Sequence, residues 1–281
     1  MSEDASDRRT AVVTGATGGI GGALSARLAR EGWDVVLIGR DTAALEAACE
    51  RIAAMGPGTV ITVRADLARA AEAITGAYPK LHALMNVAGV LTPAPRPGLQ
   101  GVDLELEVNV LAPLALIRAL EASLAAGAAA SGPAVVVNAS SNAAGLSGPL
   151  NVGRLVAPTK PGVFGSYGQT KLALTAATAA MAPALAAKGI KTYAVDPGGN
   201  RTGMTAGRGA PFFVRWMHRL LPGPETGAAR LAAPLAAGWD APPGAFVTGG
   251  KAKPIPKKAD ASDTLAALLT QIRKELGWKV W

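Results

Sequence analysis

Short apolar runs rich in β-branched residues alternate along this chain with longer Ala- and Leu-rich amphipathic runs, and that alternation leaves few folds open. The apolar runs fall at Thr10–Thr14, Asp34–Ile38, Thr59–Val63, Leu81–Asn86, Ala134–Asn138, Ile190–Val195 and, more weakly, Ala245–Val247. Helical runs cover Gly21–Glu31, Thr42–Ala54, Gly101–Leu124 with a break expected near Pro113, Tyr167–Lys188 and Asp263–Leu276. Strands that are apolar on both faces belong in a parallel sheet covered on both sides. The expected fold is one doubly wound α/β domain of about seven parallel strands flanked by helices, spanning residues 1–281, with residues 1–9 a flexible N-terminus. Two excursions, Ser147–Gly165 and Thr202–Pro224, lie outside the alternation, but no linker separates them from the rest.

Composition narrows the function classes. A hydrophobic content of 49% supplies a large core and argues against disorder. The single cysteine, Cys49, excludes an intrachain disulfide and reads as a buried helix residue. With only His82 and His218 beside it, no good zinc site can be assembled, so no metal is expected. The formal charge of +8 raises nucleic-acid binding, but the basic residues are scattered and not interleaved with aromatics. The densest group, Lys251, Lys253, Lys257 and Lys258, reads as a solvated loop. The acidic, polar start Met1–Asp7 lacks the apolar run of a secretory leader, and no apolar stretch of membrane-spanning length is free of charges or glycines. The expectation is a protein of the cytoplasm.

The first strand runs into Thr14-Gly15-Ala16-Thr17-Gly18-Gly19-Ile20-Gly21, which opens the first helix. Glycine allows the tight turn and lets backbone approach a diphosphate, and the helix N-terminus offers unpaired N–H groups to that anion. A glycine cluster alone is a weak signal; its place between the first strand and the first helix strengthens it.

Gly-x3-Gly-x-Gly spacing here resembles the cofactor loop of short-chain dehydrogenases/reductases, a Rossmann-type family. Further segments match that family in order. Asp66-Leu67 resembles the pair whose Asp holds the adenine amino group. Asn86-Val87-Ala88-Gly89 resembles the N-N-A-G segment, with Val87 departing from its second Asn. Pro197-Gly198 with Thr202 resembles the motif that contacts the nicotinamide carboxamide, with Asn200 standing where a small or apolar residue is usual. The resemblance covers residues 10 to 250 or so. It implies cofactor contacts from Gly15, Thr17, Gly18, Gly19, Ile20, Gly21, Arg40, Asp66, Leu67, Asn86, Ala88, Gly89, Pro197, Gly198 and Thr202, and from Tyr167 and Lys171.

Tyr167 and Lys171 stand at i and i+4, one turn apart on one helix face. A nearby ammonium lowers the pKa of a phenol from about 10 and makes it usable for proton exchange near neutrality. An isolated Tyr-x3-Lys would most often be a surface pair. Here Val137-Asn138-Ala139-Ser140-Ser141 ends the fifth strand, where ligands of open α/β sheets bind. The resemblance assigns the active serine to Ser141 rather than Ser140, and gives Asn109 the anchoring of a water that relays protons to Lys171. His82 reads as structural and His218 as exposed.

These residues lead to an NADP(H)-dependent oxidoreductase that interconverts a carbonyl and an alcohol, with Tyr167 as general acid/base. NADP(H) follows from the end of the second strand. Gly39 occupies the position where NAD-specific relatives carry an Asp, and Arg40 follows with a guanidinium suited to a 2′-phosphate. Asp41 is better placed to cap the next helix. Rival readings are an epimerase or dehydratase on the same scaffold, or an NADP-binding redox sensor without turnover. The 26-residue spacing of Ser141 and Tyr167 and the Gln169-Thr170-Lys171-Leu172 sequence resemble the retinol dehydrogenase branch. The expected substrate is a moderately hydrophobic carbonyl or alcohol, with residues 202–224, including Phe212, Phe213, Trp216 and Met217, as its lid. The expected assembly is a homodimer.

Overall fold

Apolar alternation along each strand decides which helices it can bury. The structure, a computed structural model, describes residues 8–64, 74–98, 101–207, 216, 218–255 and 270. Its strands are β1 (Thr10–Thr14), β2 (Asp34–Gly39), β3 (Val60–Arg64), β4 (Ala83–Asn86), β5 (Ala134–Ala139), β6 (Ile190–Val195), β7 (Phe246–Thr248) and β8 (Lys251–Lys253). They form one sheet in the order β3-β2-β1-β4-β5-β6-β7-β8. All neighbours pair in parallel except β7 and β8. Helices are α1 (Gly19–Arg30), α2 (Thr42–Ala53), α3 (Leu104–Ser131), α4 (Val152–Val156), α5 (Ser166–Ala186), α6 (Gly203–Ala206) and α7 (Pro224–Ala232).

Residues of opposite parity on the strands feed two separate cores. Val12, Val36, Leu84 and Val136 join Leu111, Ile117 and Leu120 of α3 and Leu172 and Leu185 of α5. Val13, Val35, Leu37, Met85 and Val137 join Leu24 and Leu28 of α1, Leu45 and Ile52 of α2, and Leu231 of α7. Each such side chain contributes about 1.5–3 kcal/mol on burial, so both faces must be covered. Because the strand order reverses direction between β1 and β4, a crevice opens at their carboxyl ends, where Thr14 pairs with Asn86.

Several expectations need correction. The Lys251/Lys253 stretch is not a solvated loop. It turns back as the antiparallel edge strand β8, with Val247 opposite Ala252, while its lysines stay exposed; lysines on an edge strand also discourage pairing with another chain. α3 does not break at Pro113. Pro113 is the second residue of the α segment that continues directly from a π turn, where the regular i→i−4 pattern is already interrupted and a missing N–H is accommodated. The irregularity lies earlier, in a π turn over Glu107–Leu111. α3 is the one helix among the described residues long and apolar enough to cross a membrane, yet 67% of its most apolar window is buried in this fold. Cys49 is half-buried on α2, its thiol donating to the Val60 carbonyl, and burial raises its pKa. His82 is structural as expected, its Nδ1 accepting from the Thr10 N–H. The Asp263–Leu276 helix, Lys257 and Lys258 lie outside the described residues.

Gly21 carries the first testable consequence. A Cβ there would stand 2.2 Å from the Gly15 carbonyl oxygen, a backbone atom that cannot swing aside. Gly21→Ala must therefore displace the loop, at an expected cost of about 1–3 kcal/mol. Thermal unfolding should show that loss, and nucleotide titration should show weakened binding. A variant with unchanged melting and affinity would contradict this packing.

Candidate active site

A cavity of about 990 Å³ occupies the crevice. Its floor is the loop between β1 and α1, held as a tight turn by Gly18 N–H donating to the Gly15 carbonyl. Gly15 has a φ of 70° and lies so close to β4 that a Cβ would be 2.9 Å from the Ala88 backbone. Thr14 Oγ1 accepts from the N–H groups of Val87 and Ala88 and ties the two strand ends together. α1 begins without a side-chain cap and without an acid in its first turn. Its N-terminal N–H groups and dipole are therefore left for an anion. The cradle fits a dinucleotide diphosphate.

Most of the expected contact residues line this cavity: Gly15, Thr17, Gly18, Gly19, Ile20, Gly21, Arg40, Ala88, Gly89, Ser141, Tyr167, Lys171, Pro197, Gly198 and Thr202. Asp66 and Leu67 lie outside the described residues. Asn86 is a correction. Its buried side chain does not line the cavity but donates to Asn138 Oδ1, and Asn138 donates in turn to Thr178 Oγ1. The amides stitch β4, β5 and α5 beneath the site. At the end of β2, Asp41 caps α2 by accepting from the Ala44 N–H, leaving exposed Arg40 as the charged side chain at the cavity edge.

The reacting end is built on α5. Tyr167 and Lys171 are both buried, with Lys171 Nζ 5.7 Å from the Tyr167 ring centroid. Lys171 Nζ donates to the Ala139 carbonyl at 2.7 Å, which fixes it beneath the end of β5. The Ser141 hydroxyl, which accepts from the Ala143 N–H, lies close enough to Tyr167 to favour its phenolate. Ser140 is turned inward instead, sharing a 2.6 Å hydrogen bond with Thr175, while Ser141 lines the cavity. Burial is the largest influence on both titrating groups. It pushes the Tyr167 phenol well above its usual range, against a smaller opposing influence from the Ser141 hydroxyl, and pulls Lys171 down to about 8. The expected lowering of the phenol by its lysine is not found: desolvation dominates, and Lys171 is not among the influences on Tyr167.

Asn109 sits in the π turn of α3, fully buried. Its Oδ1 accepts from Val90 N–H, and its Nδ2 donates to the Val90 carbonyl and to Thr170 Oγ1. That carboxamide is occupied in bracing the Gly89–Val90 segment against α5.

Asn200, which departs from the family pattern, is also explained. It donates to the Pro197 and Gly198 carbonyls and accepts from Gly227 N–H, fastening the Pro-Gly turn to α7. Asp196 and Arg230 escaped the sequence reading. Asp196 accepts from Gly198 N–H and Thr248 Oγ1, and Arg230 donates to the Pro197 carbonyl. Neither carries a motif signal, because their partners are a turn's backbone and, for Asp196, a threonine 52 positions away. His218 is half-buried and contacts the Thr202 carbonyl. Trp216 is 76% exposed, while Phe212, Phe213 and Met217 lie outside the described residues.

The short chain dehydrogenase family profile matches residues 9–211, and the chain belongs to the short-chain dehydrogenase/reductase family. It is 34% identical to retinol dehydrogenase 12 of Bos taurus over 197 residues, covering 68% of this chain and 61% of that one, in keeping with the branch its sequence resembles. Among solved structures it is similar to the 3-ketoacyl-(acyl-carrier-protein) reductase of Brucella melitensis complexed with NADH. That match has 25% identity and a TM-score of 0.67, covering 85% of this chain and 95% of the other. It is equally similar to the Pseudomonas aeruginosa RhlG/NADP active-site complex, at 25% identity and a TM-score of 0.68, covering 85% and 93%. The chain spans 62%, 44% and 64% of the lengths of three curated relatives it matches.

Proposed function

We propose that the chain is an NADP(H)-dependent oxidoreductase that interconverts a carbonyl and a secondary or primary alcohol. The observation that carries this reading is the convergence of the glycine cradle, Ser141, Tyr167 and Lys171 on one cavity. When bound, the nicotinamide cofactor supplies or accepts the hydride. The protein supplies the rest. Ser141 holds the substrate oxygen and orients the Tyr167 hydroxyl. Tyr167 donates its proton to that oxygen in reduction and takes it back in oxidation. Lys171, fixed on Ala139, favours the phenolate during that exchange.

The same cavity supports the substrate class. Val90, Leu91, Leu111, Ala115, Val163 and Met204 line it, which suits a moderately hydrophobic compound larger than acetone; of the expected lid, Thr202, Gly203, Met204 and Thr205 border the cavity, and residues 208–215 and 217 lie outside the described residues. A homodimer is our reading of the assembly. Gln169 on α5 donates to the Ser147 and Pro149 carbonyls and accepts from Asn151 N–H, so the Ser147–Gly165 excursion already covers part of α5 within one chain. We place the protein in the cytoplasm.

A panel of aldehydes and ketones of graded size, assayed with NADPH and NADH, tests the reading. The expected result is carbonyl-dependent NADPH oxidation that improves from acetone to larger apolar substrates. Tight NADPH binding with no oxidation across the panel would favour a sensor instead.

A further inference from the structure

A second cavity, of about 570 Å³, opens beside the reaction cavity, and the two share Gly89, Val90, Leu91, Gly203 and Met204 among their walls. The shared wall lies next to the acid–base pair: a Cβ on Gly89 would stand 3.4 Å from Lys171 Nζ and 3.8 Å from Met204 Cε. The segment after β4 forms one side of the second cavity, and Gly203, Met204 and Gly207, in and just after α6, form the other. Arg40 and Arg96 also line this space, and among the described residues no Asp or Glu does. Arg96 is held by its backbone. It lies in Pro93-Ala94-Pro95-Arg96-Pro97, where three prolines fix φ. Its N–H donates to Asp103 Oδ2 at 3.2 Å, its carbonyl accepts from Leu104 N–H at 2.9 Å, and Pro97 bridges Asp103. The other Asp103 oxygen accepts from Glu105 N–H. Glu107 rests its carboxylate against Gly98 but lines the reaction cavity and not this one. The Arg96 side chain is exposed, and among the described residues its guanidinium has no hydrogen-bond or ion-pair partner. A guanidinium on a braced turn meets an anion with the backbone already ordered, and its fork matches a carboxylate in bidentate geometry.

We infer that the second cavity takes the acidic end of the substrate, a carbonyl compound with an apolar body and a carboxylate that Arg96 holds. This rests on the proposed function above and names the substrate class of that same site. With the carbonyl against Ser141 and Tyr167, the body passes Val90 and Leu91 beside Met204, apolar walls common to both cavities, and the carboxylate reaches Arg96. Arg40 borders both cavities as well. With that guanidinium assigned to the cofactor, Arg96 is left for the substrate. One guanidinium balances the single charge of a carboxylate, where a phosphate dianion would keep one charge uncompensated. Arg96 thereby selects among carbonyl compounds and takes no part in the proton transfer.

Straight-chain ketones ending in a carboxylate at graded distances from the carbonyl, each paired with its methyl ester, test this. With the wild type and NADPH, kcat/KM for the acid should exceed that for its ester by about ten- to a hundredfold once the chain spans both cavities. Arg96→Gln should bring that ratio close to one, and Arg96→Glu should turn it in favour of the ester. The loss should fall mainly on KM, because the guanidinium holds the carboxylate equally in the ground and transition states. A second readout needs no turnover. Calorimetric titration of the matching alkanoic acid, which has no ketone to reduce, into the protein with NADPH bound should show the same weakening in Arg96→Gln. A wild type inactive on every carbonyl would defeat the functional reading, while that titration still decides this one. Equal efficiency with acid and ester at every chain length, or an acid preference that survives both substitutions, overturns the inference. So does an Arg96→Gln variant that loses affinity for NADPH but not for NADH, which would place Arg96 on the cofactor's 2′-phosphate.

Discussion

Tyr167→Phe should lower turnover in both directions by about 10²–10⁴-fold, the usual worth of a positioned general acid or base. The substitution removes one oxygen from a ring that is 8% exposed and packed beside Lys171 and Ser141. The ring itself remains, so folding and nucleotide binding should change little. Lys171 keeps its hydrogen bond to Ala139, and the glycine cradle is untouched. Loss confined to turnover, with NADPH affinity within about two-fold of wild type, is the pattern of a group needed in the transition state and not in binding. Matched losses in affinity and rate would point to a structural tyrosine. Turnover near normal would remove Tyr167 from the chemistry.

Arg40→Ala should erase a preference for NADPH over NADH. The wild type is expected to favour NADPH because the end of β2 offers a phosphate one guanidinium and, among the described residues, no opposing carboxylate. Asp41 is turned into the cap of α2. Gly39 leaves little room for an acid, since a Cβ there would already meet the Leu45 side chain at 3.0 Å. A charged hydrogen bond of this kind is worth about 1.5–3 kcal/mol, or about ten- to over a hundredfold in kcat/KM. The expected outcome is a fall of that size with NADPH and little change with NADH. Equal wild-type efficiency with both cofactors, or a preference that survives the substitution, would mean that Arg40 does not read the 2′-phosphate.

The parts of this protein governed by local sequence periodicity were the most legible. Apolar runs marked all seven parallel strands, and a glycine cluster after the first of them marked the cradle. Tyr167 and Lys171 were legible because a helix brings i and i+4 together. The antiparallel strand β8 was not, because Lys251 and Lys253 are exposed on an edge where no apolar face is required. Asn86 and Asn109 were visible as residues, but their hydrogen bonds are long-range. Asn86 meets a residue 52 positions away and Asn109 one 61 away, and no local pattern tells whether such an amide faces a ligand or a strand. Glu105 shows the same limit more sharply. In sequence it is one acid among Asp103, Glu105 and Glu107, and only packing shows that Asp103 and Glu105 are buried while Glu107 is not.

Hydride transfer to a carbonyl carbon can be followed by isotope. NADPH carrying deuterium at the transferable position should be incubated with the wild type and an accepted ketone, and the alcohol analysed by mass spectrometry. One deuterium on the carbinol carbon for each NADPH consumed is the result predicted here, with formation of the same labelled alcohol slowed by about 10²–10⁴-fold in Tyr167→Phe. NADPH consumption without label in the product, or product formed without NADPH consumption, would contradict it.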